Sequence, residues 1–440
     1  EKSGYRVEAE EPVAGITALP ITEATVTVVE SGRVVRTNPA DGSYSLNLPS
    51  GTYTLIAESY GYYPQTREVA LGPGEDLTVN FLLQEIPRGL LVGTVTDART
   101  GEPIEGARVQ VLEDARVAPT TTDAAGRFTL NLLEGTYTLR VSHRSHYTEE
   151  IPVSVPGNQT TEITITMRSF VGLPGELAYD DGSAETAWAM YDAGNGWAVR
   201  MSPEPGQNVM VTGARVYLWD TTWPSPGGNE FLVAVYGSKP DGSPGDLLLG
   251  PVLVQNAVRG GWNEVDLQPY GLTVQGDFYV AVLQSTDYPN VPGLAFDETY
   301  YQGRTFQVIA GEFSPWDEPS NAMIRALIAT EVAPPVILSP EDGSFTNQTE
   351  VPVEGRSTAG TSVAVYVDGE LAAETAASSD GTFSVTVTLD EGEHTLTAVT
   401  TTPEGDSTDF SVPVRVTVDL TAPELTVEQP EDGAVQNHRL

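Results

Sequence analysis

Cysteine is missing altogether, and lysine nearly so: only Lys2 and Lys239 stand beside twenty arginines. Without a thiol there is no disulfide framework, thiolate zinc site or iron–sulfur cluster. Two lysines also limit any Lys–Asn isopeptide staple to two copies. No apolar run approaches the ~18–20 residues of a membrane span. Positive charge is scarce: 22 Lys and Arg face 61 Asp and Glu in 440 residues, a formal net charge of −39. A surface this acidic repels nucleic-acid phosphates and anionic lipid, so neither nucleic-acid binding nor membrane insertion is expected. Glu1-Lys2-Ser3-Gly4-Tyr5 has none of the marks of a signal peptide, so any targeting segment has been removed or lies outside the chain. An acid-rich, lysine-poor chain suits secretion, a calcium-bearing medium or high salt.

Helical periodicity with caps is also missing, and strand patterns fill the chain. Ala24–Val29 and Phe383–Thr388 alternate with period two and are rich in β-branched residues. The hydrophobic fraction of 40% supports packed cores, and 43 Gly and 32 Pro punctuate short strands. The expected class is all-β, as tandem β-sandwiches. An internal repeat sharpens this. Asp41-Gly42-Ser43-Tyr44-Ser45-Leu46-Asn47-Leu48 and Gly51-Thr52-Tyr53-Thr54-Leu55 recur 84 residues later as Ala125-Gly126-Arg127-Phe128-Thr129-Leu130-Asn131-Leu132 and Gly135-Thr136-Tyr137-Thr138-Leu139. Tyr44 and Phe128 should enter the two cores. Sandwiches are expected over 1–86, with Tyr5–Glu10 as first strand, and over 87–170. Residues 171–332 hold all six tryptophans and suit a larger jelly-roll-like sandwich. After the stiff Ala333-Pro334-Pro335, residues 333–420 form an Ig-like unit. Pro430-Glu431-Asp432-Gly433 then repeats Pro340-Glu341-Asp342-Gly343, so 421–440 begins a further, cut repeat and points to a longer parent chain.

Residues 91–111, with Asp123–Phe128 and Gly135-Thr136-Tyr137, resemble the carboxypeptidase regulatory-like (transthyretin-like) sandwich, which implies a non-catalytic accessory module. Glu176–Glu185, Tyr191–Val199, Trp219–Pro224, Asp277–Val280, Pro292–Ala295 and Met323–Leu327 resemble the region downstream of the protease domain in secreted subtilisin-like serine peptidases. That resemblance covers roughly 88–440. It implies the non-catalytic C-terminal part of an extracellular endopeptidase, acting as spacer or adhesion module, with the parent enzyme's protein substrate as one partner. The rival reading is a structural or adhesive surface protein built from the same modules.

The catalytic machinery of that family is not found in the sequence. A triad needs Asp, His and Ser together, but the Asp-(Ser/Thr)-Gly and His-Gly-Thr-His segments are absent. The four histidines are His143, His146, His394 and His438. His394, in Gly392-Glu393-His394-Thr395-Leu396, takes the place of Tyr53 and Tyr137. Gly360-Thr361-Ser362-Val363-Ala364 mimics a nucleophile segment but leads into a strand pattern, not a helix.

Three candidate sites remain. Asp180, Asp181, Glu185, Asp192 and Asn195 crowd short turns and could supply the six to eight oxygens calcium takes, although the same residues are ordinary turn chemistry. Trp223, Tyr300, Tyr301 and Trp316 could stack on sugar rings of a cell-wall or other extracellular polymer. Trp197 and Trp219 read as core. Leu425–Glu428 reads as a lone first strand that could pair with a second copy, head to tail.

Overall fold

The computed structural model describes residues 20–424. Strands make up 52% of the structure and helix 1%, arranged as tandem β-sandwiches. Tyr5–Glu10, Leu425–Glu428 and His438 lie outside the described residues, and the first-strand and self-pairing expectations with them. Two compact units are present. Of the described residues, one comprises 20–96, 103–141 and 150–165, and the other 97–102, 142–149 and 166–424.

The first sheet runs Arg33–Arg36, Thr25–Val28, Gly51–Glu58, Gln65–Leu71. Alternation buries Val26, Val28, Leu55 and Ala57 against Tyr44, Leu46 and Leu48. Tyr44 donates its hydroxyl to the Val79 carbonyl at 2.7 Å, and burial pushes its pKa up to about 12. Residues 88–167 form a three-stranded sheet, Thr160–Met167, Arg88–Asp97, Arg127–Leu133, and a four-stranded one, His146–Val155, Gly135–His143, Arg108–Val111, Thr120–Thr121. Phe128 is buried here as Tyr44 is in the first sandwich. Its ring lies over Gly93, its partner across the strand pair, where an added Cβ would sit 2.1 Å from the ring.

The repeat read from the sequence is an atomic device. Tyr53 donates to the Pro49 carbonyl at 2.9 Å and Tyr137 to the Leu133 carbonyl at 2.8 Å, each four residues back. Beside each, a carboxylate accepts the next residue's amide: Glu30 from Thr54 and Glu113 from Thr138. The unit near the C-terminus repeats the pattern with an imidazole. His394 Nε2 lies 3.1 Å from the Asp390 carbonyl, four residues back, and Asp368 accepts the Thr395 amide at 2.8 Å.

The Trp-rich segment is a sandwich of two antiparallel sheets. The six-stranded sheet runs Pro244–Val254, Phe231–Ser238, Phe278–Gln284, Gly196–Met201, Thr305–Ile309, Glu312–Pro315. The other places Asn208–Leu218 at its centre, flanked by Ile324–Glu331 on one side and by Gly261–Asp266, Thr273–Gln275 and Leu294–Asp297 on the other. Trp197, Val199, Val216, Phe231, Val280, Phe296 and Ile324 fill the space between them. Phe278–Gln284 is buried along its whole length because the outer face of its sheet is covered as well, by Tyr236, Phe306 and Phe313. Residues 336–418 form a three-stranded sheet packed on a five-stranded one, with Val353, Val363, Val365, Leu396 and Ala398 in the core. Phe383 again faces a strand glycine, Gly355.

Candidate functional site

The acidic turns of the Trp-rich sandwich come first. Asp180 is held by Arg325, whose Nε lies 3.0 Å from Oδ2 and whose Nη2 lies 2.5 Å from Oδ1. The same guanidinium reaches Glu176 at 3.2 Å and lies 4.3 Å from the Trp262 ring centre. Asp181 Oδ1 accepts the Ser183 amide at 2.8 Å and hydroxyl at 2.6 Å, and its Oδ2 lies 2.6 Å from the Thr299 hydroxyl. Those hydrogen bonds, the Ser183 hydroxyl foremost, lower the Asp181 pKa to about 2. Glu185 accepts the Glu298 amide at 3.0 Å. Fully buried Asp297, which the sequence pattern did not single out, ties these loops together by accepting the Asp181 amide at 3.0 Å and the Thr299 amide at 2.7 Å.

The five expected calcium ligands therefore divide. Asp180 turns to an arginine, and Asp181 and Glu185 to neighbouring donors. Asp192 and Asn195 sit on another turn, where Gln284 donates to the Asp192 carbonyl and Asn195 accepts the Ala310 amide at 2.8 Å. Among the described residues, no group of three or more His, Cys, Asp or Glu side chains is arranged to hold a metal ion.

The aromatic candidates also separate. Tyr300 and Tyr301 are exposed, at 63% and 52%. Trp316 is half-buried among Trp188, Trp197 and Phe296, and its Nε1–H donates to Ser320 at 3.1 Å, so it closes the core and offers only part of its surface. Trp223 is half-buried because its ring lies over Gly293, where no side chain intervenes. Its neighbour is Tyr288, with ring centres 6.5 Å apart, and Tyr288 in turn meets Tyr191 at 6.1 Å. Tyr191 is 82% exposed. Tyr191, Tyr288 and Trp223 thus form a surface row of three rings. The sequence reading found only Trp223, because Tyr191 and Tyr288 are 97 positions apart and meet only when the loops fold.

The histidine turn is the third site. Strand Gly135–His143 ends and strand His146–Val155 begins around the two-residue turn Arg144-Ser145. Residues flanking such a turn face each other on one side of the hairpin. His143 Nδ1 and His146 Nδ1 lie 2.9 Å apart, and Ser145 Oγ lies 3.3 Å from each. His146 Nε2 is 3.0 Å from Asp97 Oδ2. Burial acts to raise the Asp97 pKa, but hydrogen bonds from the Ser169 hydroxyl, the Thr100 amide, His146 and the Arg99 amide prevail and hold it well below the usual carboxylate range. The hairpin is fastened by Ser142 Oγ to the Pro269 carbonyl at 3.0 Å and by Thr148 Oγ1 to the Gly271 carbonyl at 2.9 Å. Ser362, the mimic of a nucleophile, stands in strand Ser362–Val367 and donates to the Thr401 carbonyl at 3.4 Å.

The carboxypeptidase regulatory-like domain profile matches residues 13–84 and 91–168, and that of glucodextranase domain B matches 335–420. Bacillopeptidase F of Bacillus subtilis is 44% identical over 423 residues, covering 95% of this chain and 29% of that protein. The chain thus spans under a third of that relative, and the matched part is its non-catalytic C-terminal region. S-layer protein B of Metallosphaera sedula is 30% identical over 166 residues, covering 36% of this chain and 38% of the other. Among solved structures, the minor pilin GBS52 of Streptococcus agalactiae has 17% identity and a TM-score of 0.28, covering 38% of this chain and 92% of the pilin.

Proposed function

We propose, starting from the likeness of 423 residues to the C-terminal region of bacillopeptidase F, that this chain is the extracellular accessory region of a subtilisin-like serine peptidase and anchors it to an insoluble wall or matrix polymer. That likeness is the observation that carries the reading. The row Tyr191–Tyr288–Trp223 supports the anchoring part. Its rings are inclined to one another, Tyr191 to Tyr288 at 68° and Trp223 to Tyr288 at 44°, and Tyr191 and Tyr288 offer exposed apolar surface of the kind that stacks on sugar rings. Tyr300 and Tyr301 add exposed aromatic surface on a separate loop. The sandwiches before and after act as spacers, each with its own core. The acidic surface keeps them soluble and apart without disulfides.

The test is co-sedimentation of the full chain with insoluble peptidoglycan and plant polysaccharide. Saturable retention is expected, reduced at least tenfold in Tyr191→Ala/Tyr288→Ala. Retention unchanged in that variant, or no retention on any polymer, contradicts the anchoring role. A second reading is favoured by the 30% identity to an S-layer protein: a structural surface module without a peptidase. Self-assembly of the purified chain into sheets or filaments, unaffected by the two tyrosine changes, would select it.

A further inference from the structure

We propose that the hairpin turn His143–His146 is a binding site for a divalent late first-row transition metal, of which zinc is the natural probe. The site lies apart from the aromatic row and does not depend on the anchoring role. Three potential donor atoms face one another: His143 Nδ1, His146 Nδ1 and Ser145 Oγ, with separations of 2.9, 3.3 and 3.3 Å. A point equidistant from all three lies about 1.8 Å from each, within their plane. Zinc–nitrogen bonds of ~2.0–2.1 Å would place the ion about 0.9 Å out of that plane, with angles of about 90–107° at the metal. That is close to three corners of a tetrahedron. His143 and Ser145 are half-exposed while His146 is buried, so solvent reaches the fourth corner from the side of His143 and Ser145.

The surroundings match the chemistry. A zinc-bound histidine commonly donates its second ring N–H to a carboxylate, which fixes the ring and raises its donor strength. His146 Nε2 faces Asp97 Oδ2 at 3.0 Å, and Asp97 is itself held by Ser169. With Nε2–H given to Asp97, the Nδ1 lone pair of His146 points at His143. His143 Nδ1, which also lies 3.5 Å from the Ser145 amide, joins it as a ligand in the Nε2–H tautomer, so that both Nδ1 lone pairs turn to the ion. The set is two imidazoles and a hydroxyl, which suits zinc, cobalt or nickel over the all-oxygen preference of calcium and magnesium.

The experiment is calorimetric titration of the chelator-treated full chain with Zn²⁺, repeated with Co²⁺ while recording its visible absorption. One tight equivalent is expected, with a Co²⁺ spectrum typical of four-coordinate nitrogen and oxygen ligation, and excess Ca²⁺ should not displace it. His143→Gln, on the half-exposed side of the turn, should abolish the tight equivalent and the spectrum while circular dichroism stays unchanged. Asp97→Asn should keep the stoichiometry and weaken affinity by about 10–100-fold. Zinc binding that is equal in wild type and His143→Gln, or fully displaced by Ca²⁺, would show carboxylate binding only and overturn the proposal. Absence of any tight equivalent would overturn it as well.

Discussion

Replacing Arg325 with methionine tests the energetic centre of the Trp-rich sandwich. Asp180 has a side chain only 1% exposed, and Arg325 contacts both of its carboxylate oxygens. A methionine of similar length fills the space but leaves the carboxylate without its partner. Breaking one side of a buried pair in this way costs about 3–5 kcal/mol, because an uncompensated charge stays behind. The arginine also covers the Trp262 face, and losing that contact adds about 0.5–1 kcal/mol. The chain has several independent cores, so a single unfolding free energy is not defined for the whole. Tryptophan fluorescence isolates the right transition, since all six tryptophans lie within this sandwich. With a urea m-value of about 2 kcal/mol/M, the midpoint should fall by about 1.8–3 M. Arg325→Met/Asp180→Leu, which removes both charges, should recover most of that loss. A single-variant shift below about 0.5 M, or a double variant no better than the single, would refute the reasoning.

Other expectations follow from the same contacts. His394 is raised above the ordinary imidazole value, chiefly by its hydrogen bond to Asp368, and Asp368 is lowered, first by the Thr395 amide and then by His394. The histidine's contribution is full below about pH 6.5 and fades as pH rises through the raised value. The aspartate's is full above about pH 3.9 and fades as pH falls through the depressed one. The melting difference between wild type and His394→Gln should therefore peak near pH 5–6 and shrink above pH 8, and a difference constant from pH 5 to 9 would contradict the pairing. Gly93→Ala forces a methyl against the Phe128 ring and should cost about 1–3 kcal/mol in the second sandwich, read from its denaturation midpoint. Calcium at millimolar concentration should leave the melting of the Trp-rich sandwich unchanged, because Asp180, Asp181 and Glu185 already have partners. A rise of several degrees, lost in Asp181→Asn, would instead support calcium binding at these turns.

What was legible in the sequence is what is local or repeated. Period-two alternation marked the strands, and the 84-residue offset aligned Tyr53 with Tyr137 and placed His394 beside them. The structure shows the same hydrogen bond four residues back in all three. Tyr44 and Phe128 entered the cores as their matching positions implied. Less was legible where partners are distant in the chain. Asp180 meets Arg325 across 145 positions, and no local pattern distinguishes that carboxylate from sixty others. Asp297 gathers the Asp181 loop from 116 positions away. The half-buried state of Trp223 and Trp316 was not legible, because a loop sequence does not reveal that a glycine or a ring from another strand lies beneath. The histidine turn was an exception. Its two histidines flank a two-residue hairpin, a local signal, but the carboxylate that meets His146, Asp97, lies 49 positions earlier.

The central claim is that this chain binds and spaces but does not cleave. A serine-directed fluorophosphonate probe, followed by intact-mass analysis of the full chain, tests it most directly. The account predicts no adduct after prolonged incubation and no hydrolysis of peptide substrates. Ser145 shares its surroundings with two imidazoles at a hairpin tip, and Ser362 stands in a strand. A stoichiometric adduct on either serine, accompanied by inhibitable peptide cleavage, would contradict the account.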